Sequence, residues 1–115
     1  MHNRNASFEN IGISVLDEEF ENVRVVAAQA ADEMLNIDKI EASFVLYPND
    51  VNVCISGRSL GEVNVQEILE MLGGGGHSTV AGAQLKNKTF EEVKEELVNA
   101  IGTYLSASDE RGNTQ

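Results

Sequence analysis

Four consecutive glycines, Gly73-Gly74-Gly75-Gly76, run into His77 and then Ser78-Thr79-Val80-Ala81-Gly82-Ala83, and they constrain this chain more than any other stretch. Glycine loses more backbone freedom on folding than any other residue, so four together are costly inside a domain. Such a run belongs where φ must be positive, or where another molecule must reach bare backbone. Successive N–H groups with no Cβ beside them form a concave set of donors suited to an anion, typically phosphate. His77 at the edge can donate to a phosphate oxygen or exchange a proton near neutral pH. A flexible connector after a helix is the competing reading. Linkers, however, mix glycine with serine and other polar residues, whereas this run has apolar, foldable sequence on both sides.

The pattern around the run fixes its setting. Ile11, Ile13 and Val15 alternate with Gly12 and Ser14 and predict a first strand. Asp17 is placed to cap a following helix, with Glu18, Glu19 and Glu21 at its positive end. Phe20, Val23, Ala27, Ala30, Ala31 and Met34 then recur at helical steps, a buried stripe on a helix of about 18 residues. Residues 42–47 read as a strand, Pro48-Asn49-Asp50 as a hairpin turn, and Val51 to Ser59 as the return strand. Its period of two sorts Val51, Val53, Ile55 and Gly57 onto one face and Asn52, Cys54, Ser56 and Arg58 onto the other. Ser56 and Arg58 thus point the same way near the strand's end. An arginine there can fork two N–H bonds onto a phosphate, although a lone strand arginine also serves as a solvated charge.

Asn64 with Glu67 three residues on forms a helix-starting pair. Val65, Ile68, Leu69 and Leu72 give that short helix its apolar side, and Gly73 can end it in the left-handed conformation. The run therefore begins at a helix C-terminus, whose dipole repels anions. A phosphate would have to be held by later amides, from Gly75 to Thr79, especially if Ser78 starts a new helical turn. No Lys-Ser or Lys-Thr follows the glycines, so this is not a triphosphate P-loop, and no βαβ setting makes it a dinucleotide fingerprint. Ala83-Gln84-Leu85 reads as a short strand. Thr89 with Glu92 forms a second capping box before a stripe of Phe90, Val93, Leu97, Ala100, Ile101 and Tyr104.

The predicted order is β-α-β-β-α-β-α. It describes an α/β fold with a small mixed sheet, helices packed mainly on one face, and part of the other face left for a ligand or partner domain. Residues 1–9 read as a flexible linker, 10–105 as the domain and 106–115 as a polar tail. A chain of 115 residues has room for one modest core. One cysteine leaves no internal disulfide framework and fits a reducing compartment. Two histidines with that cysteine give no zinc spacing. No apolar run approaches the ~20 residues of a membrane span, so a cytoplasmic domain without membrane contact is expected.

The net charge of −11 argues against a general binder of long nucleic acid. Its distribution is more informative. Residues 1–50 carry ten acids against three bases, and 89–115 carry six against two. Residues 51–88 balance Glu62, Glu67 and Glu70 with Arg58, Lys86 and Lys88. The segment holding the glycines is the one part that does not repel an anion. The acids at the two ends read simply as solvated helix faces.

Ser56-Gly57-Arg58-Ser59, Asn64-Val65, Gly73 to His77 and Ala81-Gly82-Ala83, in this order, resemble the C-terminal DHH-associated domain of DHH-family phosphoesterases. The resemblance covers nearly all of residues 10–105 and looks closest to membrane-anchored bacterial cyclic di-AMP phosphodiesterases. It implies that a preceding DHH domain holds two manganese ions, which generate the attacking hydroxide, while the associated domain closes over the cleft and binds substrate. Ser56, Arg58, Ser59, Asn64, Gly73, Gly74, Gly75, Gly76 and His77 are the matching positions. Arg58 and His77 would neutralise phosphate charge; loop amides and Asn64 would fix the nucleotide.

The DHH triplet itself does not occur in this sequence. The chain is therefore expected to be a substrate-binding domain with no catalytic, metal or cofactor residues of its own, inactive alone, and partnered by a DHH domain and a cyclic dinucleotide or short oligonucleotide. A domain of a short-RNA or single-strand exonuclease, a regulatory or interaction module, and a free-standing hydrolase using His77 are the alternatives. The last has little support without a partner carboxylate or nucleophile near His77.

Overall fold

Alternating apolar residues form the first strand, β1 (Ile11–Val15), in the computed structural model, which describes residues 10–113 of the chain. The linker expected over residues 1–9 lies outside the described residues. Helix α1 (Val23–Asp38) carries the chain to β2 (Ala42–Asn49), which pairs parallel to β1 and turns into antiparallel β3 (Asn52–Ser59). Asp50 takes φ +60° in that turn, a conformation that aspartate tolerates better than most residues. A short helix α2 (Val65–Glu70), a two-residue strand β4 (Gly75–Gly76), β5 (Val80–Lys86) and helix α3 (Phe90–Asn113) complete the fold. The sheet order is β1-β2-β3-β5-β4, parallel only at β1–β2.

Strand periodicity sends alternate side chains to two cores. Phe44, Leu46, Val53 and Ile55 meet Ile68 and Leu69 of α2 and Val93, Leu97 and Ile101 of α3 on one face. Val45, Tyr47 and Cys54 meet Val23, Ala27 and Ala31 of α1 on the other. Two of the three helices thus share a face. The third packs on β2 and β3, and over β5 the same face stays open, with Val80 45% exposed. Alanines at 27 and 31, both fully buried, let α1 lie close enough for the Ser43 hydroxyl to donate to the Ala31 carbonyl at 2.6 Å.

Four details depart from the sequence expectation. Asp17 does not cap α1. The β1 pairing continues to Leu16, whose N–H reaches the Leu46 carbonyl, so the chain is still extended there. The helix starts only at Val23, after Asn22 in a left-handed conformation, and its first turn holds no acid. Glu19 is recruited instead by the Asp50 N–H at 2.9 Å, and Phe20 stands 42% exposed outside the stripe. The fourth sequence-expected strand spans Val80–Lys86 rather than residues 83–85 and is faced by β4. Finally, α3 continues through the polar stretch from residue 106 to Asn113, because nothing before Gly112 breaks it.

Candidate functional site

Ser56 and Arg58 point toward the α1 face, as their alternation requires. Ser56 is 7% exposed and its hydroxyl oxygen lies 3.4 Å from Arg58 Nη1, which also donates to the Gly57 carbonyl at 3.0 Å. Arg58 Nε lies 3.3 Å from Asp32 Oδ1 of α1. Three of the five guanidinium N–H groups are thus directed at the protein, leaving the two on Nη2. Further along the same face, burial pushes the Cys54 thiol above its ordinary pKa, which makes it an inert packing residue rather than a nucleophile.

Ser59 ends β3 with its hydroxyl oxygen accepting from the Gly61 N–H at 2.9 Å. Asn64 caps α2: its side-chain oxygen accepts from the Glu67 N–H at 3.0 Å, as the spacing predicts, and its own N–H donates to the Tyr104 hydroxyl at 2.9 Å. Both residues border the turn that follows the glycines. The Ser59 N–H donates to the Thr79 carbonyl and the Val65 N–H to the Ser78 carbonyl, each at 3.0 Å. Ser78 therefore begins no helical turn. It sits with Thr79 in a two-residue hairpin closed by His77 and Val80, which exchange both backbone bonds at 2.7 and 3.3 Å.

The run itself divides. Gly73 takes φ +87° and donates to the Glu70 carbonyl, while Gly74 donates to the Leu69 carbonyl at 2.8 Å, closing the end of α2. These two amides face inward, so the concave donor set expected from four glycines does not include them. Gly75 and Gly76 pair with Gly82 and Ala81. Because His77 and Val80 form a hydrogen-bonded pair, antiparallel alternation makes Gly75–Gly82 the next one and turns the Gly76 N–H to the outer edge.

Register then decides which side chains share a face. Arg58 lies opposite Val80 across β3–β5, and Val80 lies opposite His77 in the hairpin. In-register residues project from the same face, so Arg58, Val80 and His77 form one row, with the outer Cα atoms about 10 Å apart. The guanidinium leans toward α1, whereas His77 is exposed beyond β5. The structure thus gathers Ser56, Arg58, Ser59, Asn64, Gly76 and His77 around one end of the sheet, while Gly73 ends α2 at positive φ and Gly74 packs against β5. Asp32 and Tyr104 were not singled out for the site by the sequence, and Ser78 and Thr79 were named there only for their main-chain amides. Tyr104 was visible as part of the last helix's stripe, whereas the pairing of Asp32 with Arg58 crosses a sheet-to-helix contact that no local pattern encodes. Among the described residues, no three His, Cys, Asp or Glu side chains are grouped to hold a metal ion; the resemblance assigns manganese to a DHH domain and not to these residues. No helix among them is long and apolar enough to cross a membrane.

Comparison with known proteins places the chain in a family. The DHHA1 domain family matches residues 10–107. The cyclic-di-AMP phosphodiesterase PdeA of Listeria monocytogenes is 51% identical over 76% of this chain, which spans 13% of that protein. The cyclic-di-AMP phosphodiesterase GdpP of Bacillus subtilis is 46% identical over 90% of the chain, spanning 16% of that protein. Among solved structures, an exopolyphosphatase-related protein from Bacteroides fragilis superposes with a TM-score of 0.70 at 22% identity, over 84% of this chain and 29% of its own, a likeness of fold. With the family match running over most of the chain and relatives at 46–51% identity, the chain belongs to the DHHA1 domain family.

Proposed function

We propose that this chain is the substrate-binding domain of a manganese-dependent DHH-type phosphodiesterase that acts on cyclic di-AMP. The observation that carries the reading is the row Arg58–Val80–His77 on the open part of the α1 face. Arg58 Nη2 and His77 supply positive or neutral donors to a phosphate, and the outward Gly76 N–H adds a main-chain donor beside them. The Asn64 amide nitrogen would contact the rest of the nucleotide, while Ser56, buried against Arg58, and Ser59, buried on the opposite face of β3, would support the site from within. Gly73 and Gly74 serve by shaping the hairpin, and Gly75 by leaving its surface bare. The metal chemistry belongs to a DHH domain, and none of it passes through the described residues. The domain itself is a soluble, cytoplasmic-side unit in this reading.

One observation favours a second reading, a regulatory or interaction module in which the run is only a tight turn: the Gly73, Gly74 and His77 amides are bonded inside the fold. Calorimetric titration separates the two. Cyclic di-AMP and its linear dinucleotide are titrated into the protein that joins this domain to its DHH domain, and into its Arg58→Ala variant. Binding that weakens at least about tenfold in Arg58→Ala supports the proposal, since a charged hydrogen bond is worth about 1.5–3 kcal/mol. No binding of either ligand at millimolar concentration rejects it in favour of the module. Binding of short RNA alone moves the assignment to the exonuclease branch.

A further inference from the structure

Arg58 already holds an anion. Asp32 Oδ1 stands 3.3 Å from its Nε, on the edge of the guanidinium that a phosphate would use together with Nη2 for a two-bond grip. The contact is long for a charge-assisted hydrogen bond, and the Asp32 side chain is 62% exposed against 18% for Arg58. Exposed pairs of this kind are weak. The other side of the guanidinium is fastened more firmly, through Nη1 to the Gly57 carbonyl and the Ser56 hydroxyl. The arginine is thus fixed by its own strand, and the carboxylate fills the remaining edge. Because α1 packs on β2 and β3 but not over the open part of the face, that carboxylate draws the guanidinium away from His77.

We infer that Asp32 is a built-in competitor for the phosphate site, a specificity-determining residue that a ligand must displace from the Nε edge of Arg58. This rests on the reading that Arg58 contacts phosphate. A ligand that offers only one phosphate contact must exchange one anion for another at little gain. A dinucleotide anchored elsewhere, at His77 and Asn64, can complete the exchange. Asp32 therefore selects against inorganic phosphate and mononucleotides more than against the larger ligand.

The test uses the protein that joins this domain to its DHH domain, so that absence of binding bears on the functional reading as well. Cyclic di-AMP and inorganic phosphate are titrated by NMR into wild type, Asp32→Asn, Glu33→Gln and Asp32→Asn/Arg58→Ala. Glu33 is exposed and next in the helix, and the one ion pair to Arg58 among the described residues is that of Asp32. The expected result is about two- to fivefold tighter binding in Asp32→Asn, proportionally larger for inorganic phosphate. Glu33→Gln should change little, and the gain should vanish in the double variant. In the ligand-free chain, the Arg58 Nε–H resonance should also move in Asp32→Asn, with an unchanged melting temperature. Unchanged or weaker binding in Asp32→Asn, or an equal gain in Glu33→Gln, overturns the inference while Arg58-dependent binding keeps the functional reading. Absence of binding in wild type and Asp32→Asn alike removes both.

Discussion

The four glycines are not equivalent, and alanine substitution should rank them. A Cβ on Gly74 would lie 2.1 Å from the Gly82 carbonyl oxygen and 2.7 Å from the Ala83 Cβ, so β4 must leave β5 to make room. Overpacking of this kind costs about 1–3 kcal/mol, and the lost ladder bonds add about 1 kcal/mol each. Gly76→Ala meets the Val80 carbonyl at 2.5 Å and also forces a side chain onto φ +143°. Gly73→Ala enters open space but at φ +87°, a cost of about 1–2 kcal/mol. Gly75→Ala meets nothing within 4 Å and has no positive φ, so its stability should stay within about 0.5 kcal/mol of wild type.

Urea denaturation followed by far-ultraviolet circular dichroism gives the four values, and amide exchange at His77 reports whether the hairpin has opened. The expected order of damage is Gly74 and Gly76, then Gly73, then Gly75. Equal loss in Gly75→Ala and Gly74→Ala would refute the packing account. So would a Gly74→Ala protein as stable as wild type with His77 still protected. Gly75→Ala also isolates the surface role, because weakened nucleotide binding in a variant that folds normally cannot be a packing effect.

Thr89→Ala should lower stability by about 1 kcal/mol in thermal melts, since the Thr89 hydroxyl oxygen accepts from the Glu92 N–H while the Glu92 carboxylate accepts from the Thr89 N–H. Tyr104→Phe should cost about 1–3 kcal/mol by urea denaturation, because it leaves the Asn64 N–H without its acceptor on a tyrosine only 7% exposed. Burial raises the Cys54 and Tyr47 pKa values, so both bind their protons more tightly folded than unfolded. Their stabilisation is complete below the unfolded values, and stability should fall as pH rises past about 9, less steeply in Cys54→Ala when denaturation is compared between pH 7 and pH 10.

Elements announced by local chemistry were legible in the sequence. The Asn64–Glu67 and Thr89–Glu92 pairs mark helix starts through contacts three residues apart, and both form. The stripe from Val93 to Tyr104 and the alternation from Val53 to Arg58 each state a period and a buried face. What was not legible depends on distant partners. The acids at 17–21 fit a helix start as well as any, but β1 pairing runs through Leu16 and Glu19 answers a donor at residue 50. Strand β4 has no side chains to carry a period, so only its partner strand reveals it. The candidate residues could be named from motifs, but whether Arg58 and His77 share a face depends on the order of β3, β5 and β4, which the sequence does not state.

That order explains why a glycine run can make a firm structure instead of a loose one. The hairpin after Gly76 is tied on both sides by main-chain bonds, to Ser59 at the end of β3 and to Val65 at the start of α2. Both anchors are set by buried neighbours, Ser59 at 8% exposure and Val65 at zero, and Asn64 between them is held by its cap and by Tyr104. A turn fastened this way has little freedom left to lose, so a ligand docking on it avoids most of the ordering cost that a flexible glycine loop would impose. The missing Cβ atoms at 74 and 76 permit the close strand contact, and the contact supplies the rigidity. Side-chain freedom near the turn then remains with His77 in solvent, whereas Arg58 is held by its own strand and by Asp32. If Arg58 takes phosphate as proposed, selectivity would come less from reshaping the backbone than from which anion wins the open edge of its guanidinium.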